Sequence, residues 1–132
     1  MSATNTLEAQ VLGALLGSTQ VQFSTSGPFL GLITSPTEAG TNSECSAASY
    51  SRVEIGGTGQ GTFDVTAGTA VSNGDLTFPQ AQEAWGTFTH IGIFDASTGG
   101  DLLMYGALDS SVTIGSGDTF KVASGDFTIT MD

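Results

Sequence analysis

Apolar positions in this chain gather in short runs, and two of the longest face each other across a polar connection. The runs are Phe88–Phe94 and Leu102–Leu108, joined by Asp95-Ala96-Ser97-Thr98-Gly99-Gly100-Asp101. Two β-rich segments separated by a short loop that ends in a glycine pair predict a hairpin. Strict alternation puts Phe88, Gly92 and Phe94 on one side of the first strand, with Ile91 and Ile93 on the other. In the second strand it sets Leu102, Met104 and Leu108 against Leu103, Tyr105 and Ala107. Strands apolar on both faces are covered on both, so the pattern places this hairpin centrally.

Upstream the period changes. Leu7, Val11, Ala14 and Leu15 recur at helical spacing, and Leu12 and Leu16 widen the stripe. Asn5 and Glu8 carry the side chains of a capping box, and Gly17 offers a stop, so one helix is predicted over Thr6–Leu16. Its simplest role is a lid over the open end of a sheet; the alternative is an interface helix. Short strands are expected at Phe29–Thr34, Tyr50–Ile55, Thr62–Val65, Thr69–Val71 and Leu76–Phe78. Beyond the hairpin they are expected at Val112–Ile114, Thr119–Val122 and Asp126–Asp132. Pro79 keeps the strand at Leu76–Phe78 from continuing as a central one. In the last strand Phe127, Ile129 and Met131 face inward and Thr128 and Thr130 outward. Asn42–Ala48 reads as a loop. About nine short strands with turn signals every 8–12 residues or so predict a mainly-β single domain, a β-sandwich or barrel, with one N-terminal helix. Residues 1–132 then form one β-rich domain, with an arm and helix over 1–17 and the β portion over 28–132.

Charge narrows the partners. Thirteen acidic residues against Arg52 and Lys121 give a formal net charge of −11. Two isolated cations cannot neutralise a phosphate backbone or dock on an anionic bilayer, so neither nucleic acid nor membrane is expected as a partner. No apolar stretch is long enough to span a bilayer, and no basic region precedes the N-terminal apolar run as a secretory signal would require.

Candidate chemistry is sparse. His90 is the sole histidine, which rules out multi-histidine metal sites and histidine-dependent triads within one chain. Set in an apolar strand, it reads as a structural imidazole with a hydrogen-bonded nitrogen. Cys45, the one cysteine, reads as a surface thiol in a polar loop without a basic neighbour to activate it. Gly56-Gly57-Thr58-Gly59-Gln60-Gly61 has the composition of a phosphate cradle, but no lysine or helix pattern follows it. Asp95 and Asp101 bracket an oxygen-rich loop whose spacing fits turn-making better than a Ca²⁺ loop. Trp85 and Tyr50 could stack on a sugar, but packing is the simpler role for both. No catalytic residue, cofactor or metal is expected, and the chain reads as non-enzymatic.

Several segments together carry a family likeness: TFP and WGTFTHIGIFDASTGG through LLMYGAL within Thr77–Leu108, LGLITSPTEAGT (Leu30–Thr41), SYSRV (Ser49–Val53), VSNGDLTFP (Val71–Pro79) and SGDTFKVASGDFTITMD (Ser116–Asp132). With the N-terminal helix, they resemble a family of small tailed-bacteriophage virion proteins labelled tail fibre-like, some of whose relatives act as capsid decoration (cement) proteins. The likeness covers nearly the whole chain and departs from the family at Glu54–Thr69, which is Gly- and Thr-rich where members carry a more regular apolar strand. It implies a virion structural role. A fibre shaft would call for repeats or a coiled coil, and neither is present. The expectation is therefore a cement protein on the capsid surface, assembled in the host cytoplasm. It would bind the major capsid protein and neighbouring copies of itself, and stabilise the shell by linkage. A tail- or fibre-associated adsorption module is the alternative. Interface candidates are Met1, Ser2, Thr4, Leu7 and Val11 of the arm and helix, together with Trp85.

Overall fold

The computed structural model describes residues 2–17, 28–55 and 62–130. Its largest sheet is antiparallel and built around the expected hairpin. Strand β1 is Ser2–Ala3 and helix α1 is Asn5–Leu15; β2 (Phe29–Thr34), β3 (Ser43–Glu44) and β4 (Val53–Glu54) follow. Next come β5 (Thr62–Thr66), β6 (Thr69–Asn73), β7 (Leu76–Thr77), β8 (Gly86–Phe94) and β9 (Leu102–Ile114). The last two are β10 (Lys121–Val122) and β11 (Thr128–Thr130). The main sheet runs β1-β9-β8-β2-β3, with β4 also paired to β2. Since β8 holds one edge of β2, β3 and β4 line up along its other edge, opposite Ile33–Thr34 and Phe29–Leu30 respectively. A three-stranded sheet β11-β6-β5 and a β10-β7 pair complete the fold. The chain is mainly β, and among the described residues the sheets do not close into a barrel.

One continuous core joins all three sheets. Leu30, Leu32, Val53, Leu76, Phe78, Trp85, Phe88, Ile91, Ile93 and Phe127 are all buried in it. Tyr50 stacks over Phe78 and meets Trp85 edge-on, the ring centroids 6.2 and 5.3 Å apart. A smaller cluster of Ile33, Phe94 and Leu102, with Tyr105 against it, covers the opposite face of the main sheet. The hairpin strands are therefore covered on both faces, as their apolar pattern predicts.

Strict alternation nevertheless fails in both strands. The pairing slips between Ile93 and Phe94, which face Met104 and Leu102, so Leu103 is an extra residue. This bulge sends Leu103 and Met104 together into the large core and leaves Leu102 with Tyr105 on the other face. A second slip lies between Phe88 and His90, which face Val112 and Ala107. It puts Phe88 in the large core with Ile91 and Ile93 instead of beside Phe94. It also makes one strand of what reads in sequence as two, Leu102–Leu108 and Val112–Ile114.

Other elements shift as well. The helix begins one residue earlier than its periodicity predicts and is capped by Thr4, whose hydroxyl accepts from the Leu7 amide at 3.5 Å. Asn5 lies inside the helix, so the Asn5–Glu8 capping box does not form. Gly17, at φ 76°, supplies the expected left-handed stop. The segment expected to be an open loop around Asn42–Ala48 carries β3 instead, and Cys45 donates its amide to the Leu32 carbonyl at 3.1 Å. Thr62–Thr66 and Thr69–Asn73 pair in full register across Ala67-Gly68, both at positive φ. The glycine run Gly56–Gly61 and the ends Met1, Met131 and Asp132 lie outside the described residues.

Candidate functional site

The most elaborate polar constellation centres on Arg52, which the sequence offers only as one of two cations. Its guanidinium makes a two-pronged pair with Glu44, Nε to Oε1 and Nη2 to Oε2, each at 2.7 Å. Nη1 donates to the carbonyls of Ala96 and Gly99 at 2.6 and 2.8 Å. The group lies 3.6 Å from the centre of the Phe94 ring. Glu44 also accepts from the Tyr50 hydroxyl at 2.8 Å, and that hydroxyl in turn accepts from the Leu32 amide at 3.1 Å. Burial, with the nearby Glu44 charge behind it, pushes the Tyr50 phenol above its ordinary range. The side chain of Arg52 is only 6% exposed and that of Glu44 23%. Four of the five guanidinium donors are taken up by the protein, so this is a clamp and not a free anion site. What it clamps is the hairpin loop, where Ser97–Asp101 stay exposed. Asp95 closes that loop by accepting from the Asp101 amide at 2.8 Å, the turn-making role that its position predicts.

The N-terminal arm is built differently. Thr4 is fully buried; its hydroxyl donates toward the Leu102 carbonyl at 2.6 Å and also approaches the Leu103 carbonyl at 3.0 Å, while its amide donates to Leu103 at 2.8 Å. The Asn5 amide donates to the Glu38 carbonyl. These bonds hold the arm to β9 and the first helical turn to the loop after β2. Farther along, α1 buries no residue. Ala3, Leu7, Glu8, Val11 and Leu12 line a mostly apolar groove, while Leu15 and Leu16 project outward.

Of the residues expected at an interface, Ser2 is exposed and Leu7 and Val11 are half-buried in that groove; Met1 lies outside the described residues. Thr4 and Trp85 are inside the protein. Trp85 is 7% exposed, and its indole N–H donates to the Ser49 hydroxyl at 2.9 Å. Both therefore hold the fold together and offer no outer contact surface. His90 is half-buried, its Nδ1 2.8 Å from the Thr89 hydroxyl. Cys45 corrects the sequence reading: it is a buried core residue, not a surface thiol. Burial pushes its thiol pKa up, and the charges of Glu44 and Glu83 add to that. A thiol-specific reagent at mildly alkaline pH is expected to leave Cys45 untouched until the protein is unfolded. Prompt labelling of the native protein would contradict that placement. Among the described residues no group of metal-ligating side chains gathers.

With no catalytic cluster among the described residues to identify it, the chain is placed by comparison. A family described as podophage GP4 fiber I protein gp80 matches residues 2–130. The chain belongs to this family. No curated protein matches it. A match running from the arm through β11 takes in the whole described β fold, so the small-virion-protein resemblance holds along the chain. As a member of the podophage fiber I family it is a virion structural protein.

Proposed function

We propose that the chain is a non-enzymatic building block of a podophage tail fibre that contributes to host-surface adsorption, not a cement protein on the capsid. The fiber description of a family matched over residues 2–130 carries this reading. It treats 1–132 as one β-rich virion domain that attaches through its arm and helix. Two structural features support it. The helix offers unburied leucines for assembly, and the Arg52 clamp presents Ser97–Asp101 as a pre-ordered loop, which lowers the entropy lost on contact. The net charge of −11 suits an outer position away from packaged DNA.

Cryo-EM of the intact particle, with quantitation of the protein per virion, tests the proposal. The expected result is density confined to the tail, at a copy number set by the fibres. Density spread over the shell in proportion to the major capsid protein would sink it and restore the cement reading.

A further inference from the structure

We infer that Asn73-Gly74, in the turn between β6 and β7, is a spontaneous deamidation site that the Ser124 hydroxyl holds in check. It is the one Asn-Gly step in the sequence; the other two asparagines precede Thr6 and Ser43. The reaction needs no reagent but water. The Gly74 amide nitrogen attacks Cγ of Asn73, and a new N–C bond forms as the bond from Cγ to Nδ2 breaks. Nδ2 leaves as ammonia, carrying off the Gly74 amide proton. Water then opens the cyclic imide at either carbonyl, which yields aspartate or isoaspartate with no change of oxidation state. Glycine favours the ring closure because it has no Cβ to crowd it. Asn73 is exposed, so water has access to the side chain.

The surrounding contacts oppose the first step. The Gly74 amide, whose proton must leave before the nitrogen can attack, donates to the Ser124 hydroxyl at 2.9 Å. Ser124 is itself held in place, its own amide donating to Asp75 Oδ1 at 3.0 Å. Gly125 donates its amide to the Ser72 carbonyl at 2.8 Å, and the Phe127 amide reaches the Ser72 hydroxyl at 3.3 Å. Residues on both sides of the labile step are therefore tied to the segment between β10 and β11. Asn73 also closes the register of β6 against β5, opposite Thr62. Ring closure must wait for this turn to open locally. Of these contacts, the Ser124 hydroxyl alone touches the reacting nitrogen. Conversion would set a new carboxylate two positions from Asp75 in a chain already at −11. Isoaspartate would also lengthen the backbone at the end of β6, where it leads into the turn.

The test incubates the folded full chain at mildly alkaline pH and follows the peptide across Asn73-Gly74 by mass spectrometry. Folded wild type is expected to convert at least about tenfold more slowly than the same chain held unfolded in denaturant. Ser124→Ala is expected to convert roughly fivefold faster than wild type, the ratio that one neutral hydrogen bond of ordinary net strength represents. Ser124 is exposed, so this variant keeps the fold. Ser124→Thr, which retains the hydroxyl, is expected to stay near the wild-type rate. Gly31→Ala serves as the control for stability, since it crowds the main sheet far from this turn in the chain. Folded wild type that converts as fast as the unfolded chain overturns the inference, as does Ser124→Ala at the wild-type rate. Equal acceleration in Ser124→Thr or Gly31→Ala would assign the protection to the fold at large and not to this hydroxyl, which also overturns it.

Discussion

Replacing Arg52 with alanine is expected to cost the fold about 3 kcal/mol, because it strands a largely buried carboxylate. Glu44 would lose both prongs of its ion pair while its surroundings stay largely dry. The Ala96 and Gly99 carbonyls would lose their donor, and the Phe94 ring its covering cation. For a domain of this size the loss amounts to roughly 10 °C in melting temperature. Arg52→Lys is expected to recover only part of it, since an ammonium cannot hold both carboxylate oxygens and two carbonyls in one plane. Faster amide exchange over Ser97–Asp101 should accompany either change. A loss under about 1 kcal/mol in Arg52→Ala would show the pair behaving as a surface salt bridge, and the clamp would be discarded.

The sequence carries the elements better than it carries this node. Strand β2 is readable because Phe29–Thr34 is apolar and β-branched between turn residues, and its bounds match the expected ones. Helix α1 is readable from period alone, although its cap is not. Thr4 and Asn5 are both good caps, and the choice is made by β9, whose carbonyls take the Thr4 hydroxyl. Bulges escape a two-residue period by definition, so the distribution of Leu102, Leu103 and Met104 between two cores cannot be read from alternation. The burial of Cys45 escapes the sequence for a related reason. The polar run Ser43-Glu44-Cys45-Ser46 looks like a loop until β2 supplies an edge for it to pair with.

The exposed apolar surface is legible by region and not by residue. The helix and its cap hold most of the exposed large apolar side chains among the described residues, yet it is Leu12, Leu15 and Leu16 that project, while Thr4 is an anchor. A helix whose apolar stripe is wider than one face can bury, with Leu12 and Leu16 added to the stripe of Leu7, Val11, Ala14 and Leu15, was the available signal. For Arg52 the hint is weaker: one of only two cations, set in the expected strand Tyr50–Ile55 between Ser51 and Val53, in a chain with acids to spare.

Gly31→Ala is expected to destabilise the protein by about 1–3 kcal/mol although the backbone at this position tolerates any residue. Gly31 sits directly opposite Gly92 in the β2–β8 register. A methyl group at Gly31 would lie 2.9 Å from the Phe94 ring, 2.9 Å from the Tyr50 hydroxyl and 3.0 Å from Glu44 Oε1. The Tyr50–Glu44 hydrogen bond cannot give way cheaply, because the same atoms hold the Leu32 amide and the Arg52 guanidinium. Entropy works the other way: alanine restricts the unfolded chain and alone would stabilise by about 0.4–1 kcal/mol. A measured loss therefore reports crowding of the clamp. Because both substitutions act on Glu44, Gly31→Ala and Arg52→Ala combined should cost less than the sum of their separate losses. Additive losses in denaturant unfolding would mean that the close approach of β2 and the clamp are independent, and that Gly31 only makes room for Phe94.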